Sequence, residues 1–271
     1  MEVVLVKLGG SLITDKKGVE QARGEVLARL AREIAAARRE GLPNGARLVL
    51  GHGSGSFGHV AAARYGLGRG LVRDGVTGPL EGVGVTQSTA AVLHRLVFDA
   101  LLEAGEKPFS VAPSSAFVAR DGRVCGGNVE PLVSALELDL LPVVYGDVIV
   151  DRQLGISICS TEAAFSYLIR RFRGLGHTVR DVLWLGTTDG VYGPEGETVP
   201  RIDSKSYRRL RRHLGGAAGT DVTGGMRLRV EAAWKLAQRG VPSWIMNGET
   251  PGSLRDALVG QGTNGTRVVL A

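Results

Sequence analysis

The sequence predicts an α/β fold whose largely parallel sheet is covered by helices on both faces. Apolar runs alternate with amphipathic stretches along the whole chain, which is typical of βαβ units. Glycine or proline stands at nearly every junction, and the 40 glycines are about twice the average usage. A chain of 271 residues is long enough to bury a large core of this kind.

The predicted strands are short apolar runs rich in valine and leucine, and the predicted helices are longer stretches with one polar face. Strands are predicted at residues 3–8, 48–50, 109–112, 143–145, 182–185, 243–246 and 266–269. Helices are predicted at residues 21–39, 84–104, 161–173, 206–214 and 226–238.

Two connecting segments indicate how these elements are organised. Residues 147–151 with 155–157 predict a short β-hairpin, and residues 173–177, Arg-Gly-Leu-Gly-His, are the best candidate for a hinge. We therefore predict a single domain, residues 1–271, with approximate lobes at 1–175 and 176–271.

Composition limits the partners. The net charge of +6 favours an anionic ligand, whereas few aromatic residues and basic residues in helical contexts disfavour nucleic acid. Cys125 and Cys159 lack metal or CxxC spacing, so reduced thiols are a better interpretation than a structural disulfide. The N-terminal apolar run is too short for a signal peptide, and no window approaches a transmembrane length. We expect a cytoplasmic protein that binds neither membrane nor nucleic acid.

The most informative segment is Gly-His-Gly-Ser-Gly-Ser-Phe-Gly-His at residues 51–59, between a predicted strand and a helix expected over 60–65. Ligands of open parallel sheets bind outside the carboxyl ends of the strands, where this segment lies. Small residues let backbone N–H groups approach an anion, and a helix N-terminus adds partial positive charge. His59 can supply a titratable donor. His52 and His94 are interpreted as structural hydrogen-bonding histidines.

Two further segments have residues suited to phosphate. Lys7 lies near the end of the first strand, just before Gly-Gly-Ser at residues 9–11. If it stood alone, the simpler interpretation would be a lysine at a strand end that extends its ammonium group to water. The sequence has no Walker-type GxxxxGK[ST], so this cradle would be of a different kind. Residues 221–226, Asp-Val-Thr-Gly-Gly-Met, form either an ordinary helix cap or a third anion site reached by Arg227 or Arg229.

In chain order, these segments resemble the motifs of the amino acid kinase superfamily. They are Lys-x-Gly-Gly-Ser at 7–11, the glycine loop at 51–59, Tyr145-Gly146-Asp147, residues 188–192 (Thr-Asp-Gly-Val-Tyr) and residues 221–225. Within the superfamily the chain is similar to the isopentenyl phosphate kinases across essentially its whole length. The features that carry this similarity are His59, Thr14-Asp15-Lys16, and Asn247-Gly248 with Pro251, Leu254 and Gly265-Thr266.

The resemblance implies an open αβα sandwich, usually a homodimer, which uses ATP and Mg²⁺ to phosphorylate isopentenyl phosphate in mevalonate-linked isoprenoid biosynthesis. It implies catalytic roles for Lys7, Lys16, His59 and Arg229. It implies an acceptor site formed by Gly53, Ser54, Gly55, His59, Gly146 and Asp147. The implied ATP site comprises Lys7, Gly9, Gly10, Ser11, Lys16, Glu162, Asp189, Gly190, Asp221, Thr223, Gly224, Gly225 and Arg229. No protein metal ligands are predicted.

Such a reaction fits the residue inventory. The acceptor is already a phosphate oxyanion, so no general base is needed, and catalysis depends on aligning and neutralising two polyanions. A histidine bound beside phosphate should have a raised pKa and be largely protonated.

Four positions depart from the family's motifs. Ser54 replaces a glycine, and its Cβ is expected to restrict the backbone. Glu162, in Ser160-Thr161-Glu162, stands where the family has the aspartate of Ser-Gly-Asp. Arg229 occupies the position of a catalytic lysine, and Gly186-Thr187 replaces Thr-Asp. Most of these changes keep charge or hydrogen-bonding capacity, so we expect kinase activity to be retained.

Two alternatives remain open. One is a kinase of another small phosphate or phosphonate, similar to the fosfomycin kinases. Against it, residues 83–96 are expected to line an apolar pocket for the acceptor tail, which favours an isoprenoid; the apolar residues there include Val85, Ala90, Val92 and Leu93. The other is a catalytically weak, nucleotide-binding member, suggested by Glu162 and Arg229.

Overall fold

The computed structural model describes residues 1–15, 18–73, 76–77, 80–213 and 225–271. Four predicted site residues, Lys16, Asp221, Thr223 and Gly224, lie outside the described residues. The strands are β1 Glu2–Leu8, β2 Arg47–His52, β3 Val72–Arg73, β4 Val76–Thr77, β5 Pro108–Val111, β6 Phe117–Arg120, β7 Arg123–Gly127, β8 Leu141–Tyr145, β9 Asp147–Asp151, β10 Gly155–Cys159, β11 Thr178–Gly186, β12 Arg201–Ile202, β13 Ser243–Asn247 and β14 Thr266–Val268. The helices are α1 Gly10–Ile13, α2 Gly24–Glu40, α3 Gly55–Arg64, α4 Glu81–Glu103, α5 Pro113–Ala116, α6 Glu130–Glu137, α7 Thr161–Gly174, α8 Ser204–His213, α9 Gly225–Ala237 and α10 Ser253–Val259.

An eight-stranded sheet forms the centre of the fold, in the order β12-β14-β13-β11-β1-β2-β8-β5. Strand β1 pairs in parallel with both β11 and β2, and β8 pairs in parallel with β2 and β5. Strand β14 runs antiparallel to β13. The predicted α/β fold with a mainly parallel sheet is therefore confirmed. The sheet is continuous across the predicted lobe boundary, because β11 lies beside β1.

Helices cover both faces of this sheet, and strand β1 shows why its sequence is almost wholly apolar. Val3 and Leu5 pack into one core with side chains of α6, α7 and α9. Val4 and Val6 pack into the other with side chains of α2, α4 and α10. Because both faces of a central parallel strand are buried, its hydrophobic run is continuous rather than alternating.

A smaller sheet, in the order β10-β9-β6-β7, stands beside the main one. Its antiparallel β9–β10 pair is the hairpin expected from residues 147–157. Gly155 opens the second strand at φ 77°, a conformation that favours glycine. Asp151 accepts hydrogen bonds from the amides of Asp121, Gly122, Gln153 and Leu154, so one carboxylate ties both hairpins of this sheet together.

Every predicted strand and helix overlaps an observed element, but the helix expected over residues 60–65 was placed too late. It begins at Gly55, inside the glycine loop. Within the described residues, Cys125 and Cys159 are both unpaired, and no helix has the length and apolar character needed to cross a membrane.

Candidate active site

The predicted site loops lie at the carboxyl ends of adjacent parallel strands, where each is tied to its neighbour by a glycine amide. Gly9 N donates to Leu185 O at 2.9 Å, and Gly53 N donates to Leu8 O at 3.0 Å. Gly146 N donates to His52 O at 3.1 Å. The ends of β11, β1, β2 and β8 therefore form one continuous edge, as expected for a ligand site in an open parallel sheet.

The two glycine-rich turns after β1 and β2 are in backbone contact. A Cβ on Gly10 would lie 2.7 Å from Gly55 N, and a Cβ on Gly53 would lie 3.0 Å from Gly10 N. Thr14 Oγ1 links the turns, donating to Gly10 O at 2.8 Å and accepting from Ser56 N at 3.1 Å. Backbone contacts therefore fix the spacing between the predicted ATP and acceptor loops.

The glycine loop is itself the N-terminus of α3. Ser54 is the N-cap, with φ −76° and ψ −9°, a conformation open to any residue, so the serine that replaces the family's glycine causes no backbone strain here. The residue that needs glycine is Gly55, at φ 50° and with its Cβ position occupied by Thr14. Gly58 faces Ser54, because a Cβ on Gly58 would lie 2.6 Å from Ser54 Cβ. The predicted acceptor loop therefore contains the start of a ten-residue helix, where unpaired amides favour an anion.

A cavity of about 550 Å³ opens at this helix start. Polar groups from Ser54, His59 and Asp147 line it together with the backbone of Gly146. Small and apolar residues supply much of the remaining wall, namely Gly58, Ala62, Ala63, Gly66, Gly68, Ala90 and Ile158, and Thr86 adds a hydroxyl. The cavity therefore combines anion-binding groups with an apolar section.

Helix α4 contributes less to this cavity than its sequence predicted. Ala90 lines the cavity as expected, but Leu93 is fully buried in the core that also contains Val4 and Val6. Val85 and Val92 are exposed to solvent. These positions were assigned wrongly because a helix that packs on two neighbours has apolar residues around much of its circumference.

Lys7 and Glu162 form a salt bridge beneath the loops. Lys7 Nζ lies 2.6 Å from Glu162 Oε1, and Lys7 is only 7% exposed. Burial on its own would raise the pKa of Glu162, but the charge and hydrogen bond of Lys7 outweigh it and lower the pKa to about 2. The charge of Arg229 acts in the same direction. Glu162 is therefore an anion that holds the predicted catalytic lysine in place.

Arg229 and Gly186, two of the departures from the family's motifs, fit each other. A Cβ on Gly186 would lie 2.6 Å from Arg229 Nη1, and a Cβ on Gly9 would lie 3.6 Å from Arg229 Nη2. The guanidinium thus occupies the space beside Gly186 that a side chain there would enter. The structure brings Arg229 against the first glycine turn, near Lys7 and Glu162.

His59 lies in the first turns of α3 and is exposed at the cavity. Partial desolvation of its ring by the cavity wall and the charge of Lys7 lower the pKa of His59, and the charge of Glu162 partly opposes them. The pKa of His59 is therefore lowered in the ligand-free site, whereas the raised pKa expected from the sequence concerns the phosphate-bound state. The same causes show that His59, Lys7 and Glu162 share one electrostatic environment.

Asp147 and the Asp189 region occupy different parts of the edge. The carboxylate of Asp147 accepts from Ser114 N and Val148 N at 3.0 and 2.8 Å, and burial raises its pKa. Asp189, which follows β11, accepts at Oδ1 from Nδ2 of Asn247, the last residue of β13, at 2.8 Å. Gly190, at φ 153°, packs its backbone against Thr266. Asp189 and Gly190 thus lie at the C-terminal part of the sheet edge, in contact with Asn247 and Thr266, which belong to two further motifs of the resemblance.

Two threonines of motifs quoted above have positioning roles that were not predicted from the sequence. Thr14, described above, joins the two glycine turns. Thr161 Oγ1 donates to His52 O at 2.6 Å, and Thr161 fills the space beside Gly51 that a Cβ would enter. The nearest signal in the sequence was their position beside predicted site residues. Among the residues with described positions, no group of three or more His, Cys, Asp or Glu side chains could hold a metal ion.

The sequence pattern of the amino acid kinase family matches residues 2–247. The chain therefore belongs to the amino acid kinase family.

Relatives that the chain resembles over nearly its whole length include isopentenyl phosphate kinases. The chain is 34% identical to the isopentenyl phosphate kinase of Methanothermobacter thermautotrophicus, with 98% of each protein covered. It is 27% identical to the isopentenyl phosphate kinase of Methanocaldococcus jannaschii, again over 98% of each. A solved structure of isopentenyl phosphate kinase superposes with a TM-score of 0.81 at 30% identity, covering 98% of this chain and 100% of that one.

Proposed function

We propose that this protein transfers the γ-phosphoryl group of ATP to isopentenyl phosphate, which gives isopentenyl diphosphate. The observation that carries this proposal is the cavity at the start of α3, where a helix N-terminus, His59 and Gly146 adjoin small apolar side chains. An acceptor with a phosphate head and a short hydrocarbon tail matches that division. The similarity to isopentenyl phosphate kinases along the whole chain supports the same acceptor.

The residues of the site supply positive charge and alignment. The acceptor oxygen is already ionised, so the chain needs donors that offset repulsion between two phosphates rather than a base. His59 and the amides after Gly53 would hold the acceptor phosphate. Lys7, oriented by Glu162, would contact the phosphoryl group in transfer, with Arg229 on the nucleotide side. Each well-placed charged donor contributes on the order of 3 kcal/mol to such a transition state.

The proposed ATP site lies along the turn of Gly9, Gly10 and Ser11 and extends to Asp189 and Gly190. Gly225, the first residue of α9, is the one residue of the proposed 221–225 segment that the structure describes. Magnesium fits this site as a companion of ATP, because Mg²⁺ commonly binds phosphate oxygens, waters and few carboxylates. It would neutralise phosphate charge there, while the lysine, histidine and amide donors come from the protein.

A coupled assay of ADP release tests the acceptor directly. Isopentenyl phosphate, dimethylallyl phosphate, longer prenyl phosphates and fosfomycin would be compared at fixed ATP and Mg²⁺. We expect kcat/KM to be highest for a five-carbon phosphate. A preference for fosfomycin would favour the alternative kinase, and ATP binding without turnover of any acceptor would favour a nucleotide-binding member.

We further propose a cytoplasmic homodimer with acceptor-binding residues 1–175 and nucleotide-binding residues 176–271, active in mevalonate-linked isoprenoid biosynthesis. The solvent face of α4 supports self-association, because Val85, Val92 and Leu96 are exposed there beside the opposite charges of Arg95 and Asp99. Light scattering of the purified protein should give twice the mass of one 28.6 kDa chain, and Val92→Glu should reduce it. A monomer at micromolar concentration would contradict the dimer.

A further inference from the structure

Two buried histidines outside the proposed catalytic set form a chain of hydrogen bonds behind the acceptor loop. His52 Nδ1 lies 3.1 Å from Gly53 O, and His52 Nε2 lies 3.1 Å from His94 Nδ1. His94 Nε2 lies 2.8 Å from the hydroxyl of Ser110, a surface residue of β5. The two rings are nearly coplanar, at 15° with centroids 5.4 Å apart, which suits an in-plane bond between their edges.

The chemistry of the end groups fixes the direction of this chain. A carbonyl oxygen only accepts, so the Nδ1 of His52 must carry the hydrogen that binds Gly53 O. Burial lowers the pKa of His52 to about 4 and that of His94 to about 3, so both rings are neutral at pH 7. A neutral His52 then accepts at Nε2 from His94 Nδ1–H, and His94 accepts at Nε2 from Ser110. Each ring therefore has one defined tautomer.

Gly53 O belongs to the peptide that presents an amide to the acceptor phosphate. In a trans peptide the carbonyl and the following N–H point in opposite directions, so holding Gly53 O away from the site turns Ser54 N–H toward it. A Cβ on Gly146, another cavity residue, would lie 3.4 Å from Ser54 N. Within the described part of the chain, Ser54 N–H donates to no protein acceptor, which leaves it available for a ligand.

We propose that His52 and His94 are positioning residues, which hold the Gly53–Ser54 peptide with its amide directed at the acceptor phosphate. Tyr145 supports the pair, since its ring stacks on His94 with centroids 4.3 Å apart and lies parallel to His52. The His52 carbonyl is held separately by Thr161 and Gly146, so the backbone on either side of the ring is fixed as well. This inference rests on the proposed acceptor site but concerns groups that need not touch the substrate.

The first test reads the tautomers in the unaltered, ligand-free protein. Long-range ¹H–¹⁵N spectra of histidine side chains distinguish hydrogen on Nδ1 from hydrogen on Nε2, and single histidine variants assign the signals. We expect both His52 and His94 to carry hydrogen on Nδ1 at pH 7. Hydrogen on Nε2 of His52 would overturn the proposal, because that tautomer cannot donate to Gly53 O. This result does not depend on which acceptor the enzyme uses.

The second test compares His94→Phe with His94→Asn, which keeps a donor near the position of Nδ1. Because His94→Phe leaves a buried acceptor on His52 unpaired, we expect the KM for isopentenyl phosphate to rise about tenfold, with kcat and the KM for ATP changed less than about threefold. His94→Asn should recover most of the acceptor affinity. His177→Phe, at a half-buried histidine after α7, is the matched control and should leave all constants unchanged.

Thermal unfolding of each variant separates this positioning role from loss of the fold. An unchanged acceptor KM in folded His94→Phe, or equal losses for both ligands in both His94 variants, would refute the proposal. If His94→Phe does not fold, Ser110→Ala at the exposed end should still raise the acceptor KM about twofold to threefold. Absence of turnover in the unaltered protein would refute the proposed function while leaving the tautomer result to decide the positioning role.

Discussion

Replacement of Glu162 by glutamine is the sharpest test of the buried salt bridge. The amide keeps the size of the side chain and removes the charge that lies 2.6 Å from Lys7 Nζ. Lys7 would remain a buried ammonium without its anion, and its head group would no longer be held in one place. Both stability and catalysis should therefore change.

The magnitude follows from the pKa of Glu162, which falls from an ordinary 4.5 to about 2. A difference of about 2.5 pKa units corresponds to about 3 kcal/mol in favour of the ionised, folded form. Because the folded pKa is lowered, this stabilisation is complete above pH 4.5 and is lost as pH falls towards 2. Glu162→Gln should thus be less stable by about 3 kcal/mol at pH 7, and the difference should shrink at acid pH.

Urea unfolding at pH 7 and at steps down to pH 3 measures this difference, and steady-state kinetics measure its effect on transfer. We expect kcat to fall about 100-fold, because misplacing one charged donor removes transition-state stabilisation of about 3 kcal/mol. Glu40→Gln is the control, since Glu40 pairs with Arg255 at a similar 2.7 Å on the surface and should give no resolvable loss of stability or activity. Equal losses in both variants, or an unchanged kcat in Glu162→Gln, would refute the positioning of Lys7.

Three further substitutions and one pH dependence test the acceptor loop. His59→Ala should raise the acceptor KM and lower kcat about 100-fold, and unchanged turnover of isopentenyl phosphate would contradict its role. In the unaltered enzyme, binding of phosphate should raise the lowered pKa of His59, so acceptor KM should increase with pH between the free-site pKa and the bound-state pKa and level off above the latter; a KM independent of pH in kinetic titrations would exclude this coupling. Ser54→Gly should keep the fold but weaken acceptor binding about threefold by loss of the hydroxyl, and tighter binding would contradict that. Gly55→Ala should lower the thermal midpoint, because φ 50° and the adjacent Thr14 both oppose a Cβ; Gly84→Ala, where a Cβ meets open space, is its control.

The main sheet and its large helices could be predicted because their sequence patterns are strong. Residues 3–6 of strand β1 are all apolar, and α7 has a serine N-cap whose hydroxyl accepts from Ala163 N. Strands β6 and β7 were missed because Arg, Gly and exposed positions interrupt their alternation. Short helices such as α6 and α10 offer too few turns for a clear period.

The proposed site likewise has some features that could be predicted from the sequence and others that could not. Glycine loops at strand ends could be found from the sequence, since tight turns and backbone approach require glycine. The partnership of Lys7 with Glu162 spans 155 positions, and that of Thr161 with His52 spans 109. Local spacing carries no information on such contacts. The fit of Arg229 beside Gly186 is of this kind too, because it depends on how α9 approaches β11 in the folded chain.

The contact between the first two glycine turns has a consequence for how this enzyme can diversify. Backbone atoms of Gly10, Gly53 and Gly55 set the distance between the two proposed phosphate sites. This distance therefore depends mainly on the backbone and little on exchangeable side chains. The walls of the cavity proposed to hold the acceptor tail come instead from Ala62, Ala63 and other replaceable side chains. Substitutions on α3 and α4 can therefore change the preferred acceptor length while the spacing between the two proposed phosphate sites stays constant. Selectivity can evolve in this way without a change in the geometry of phosphoryl transfer.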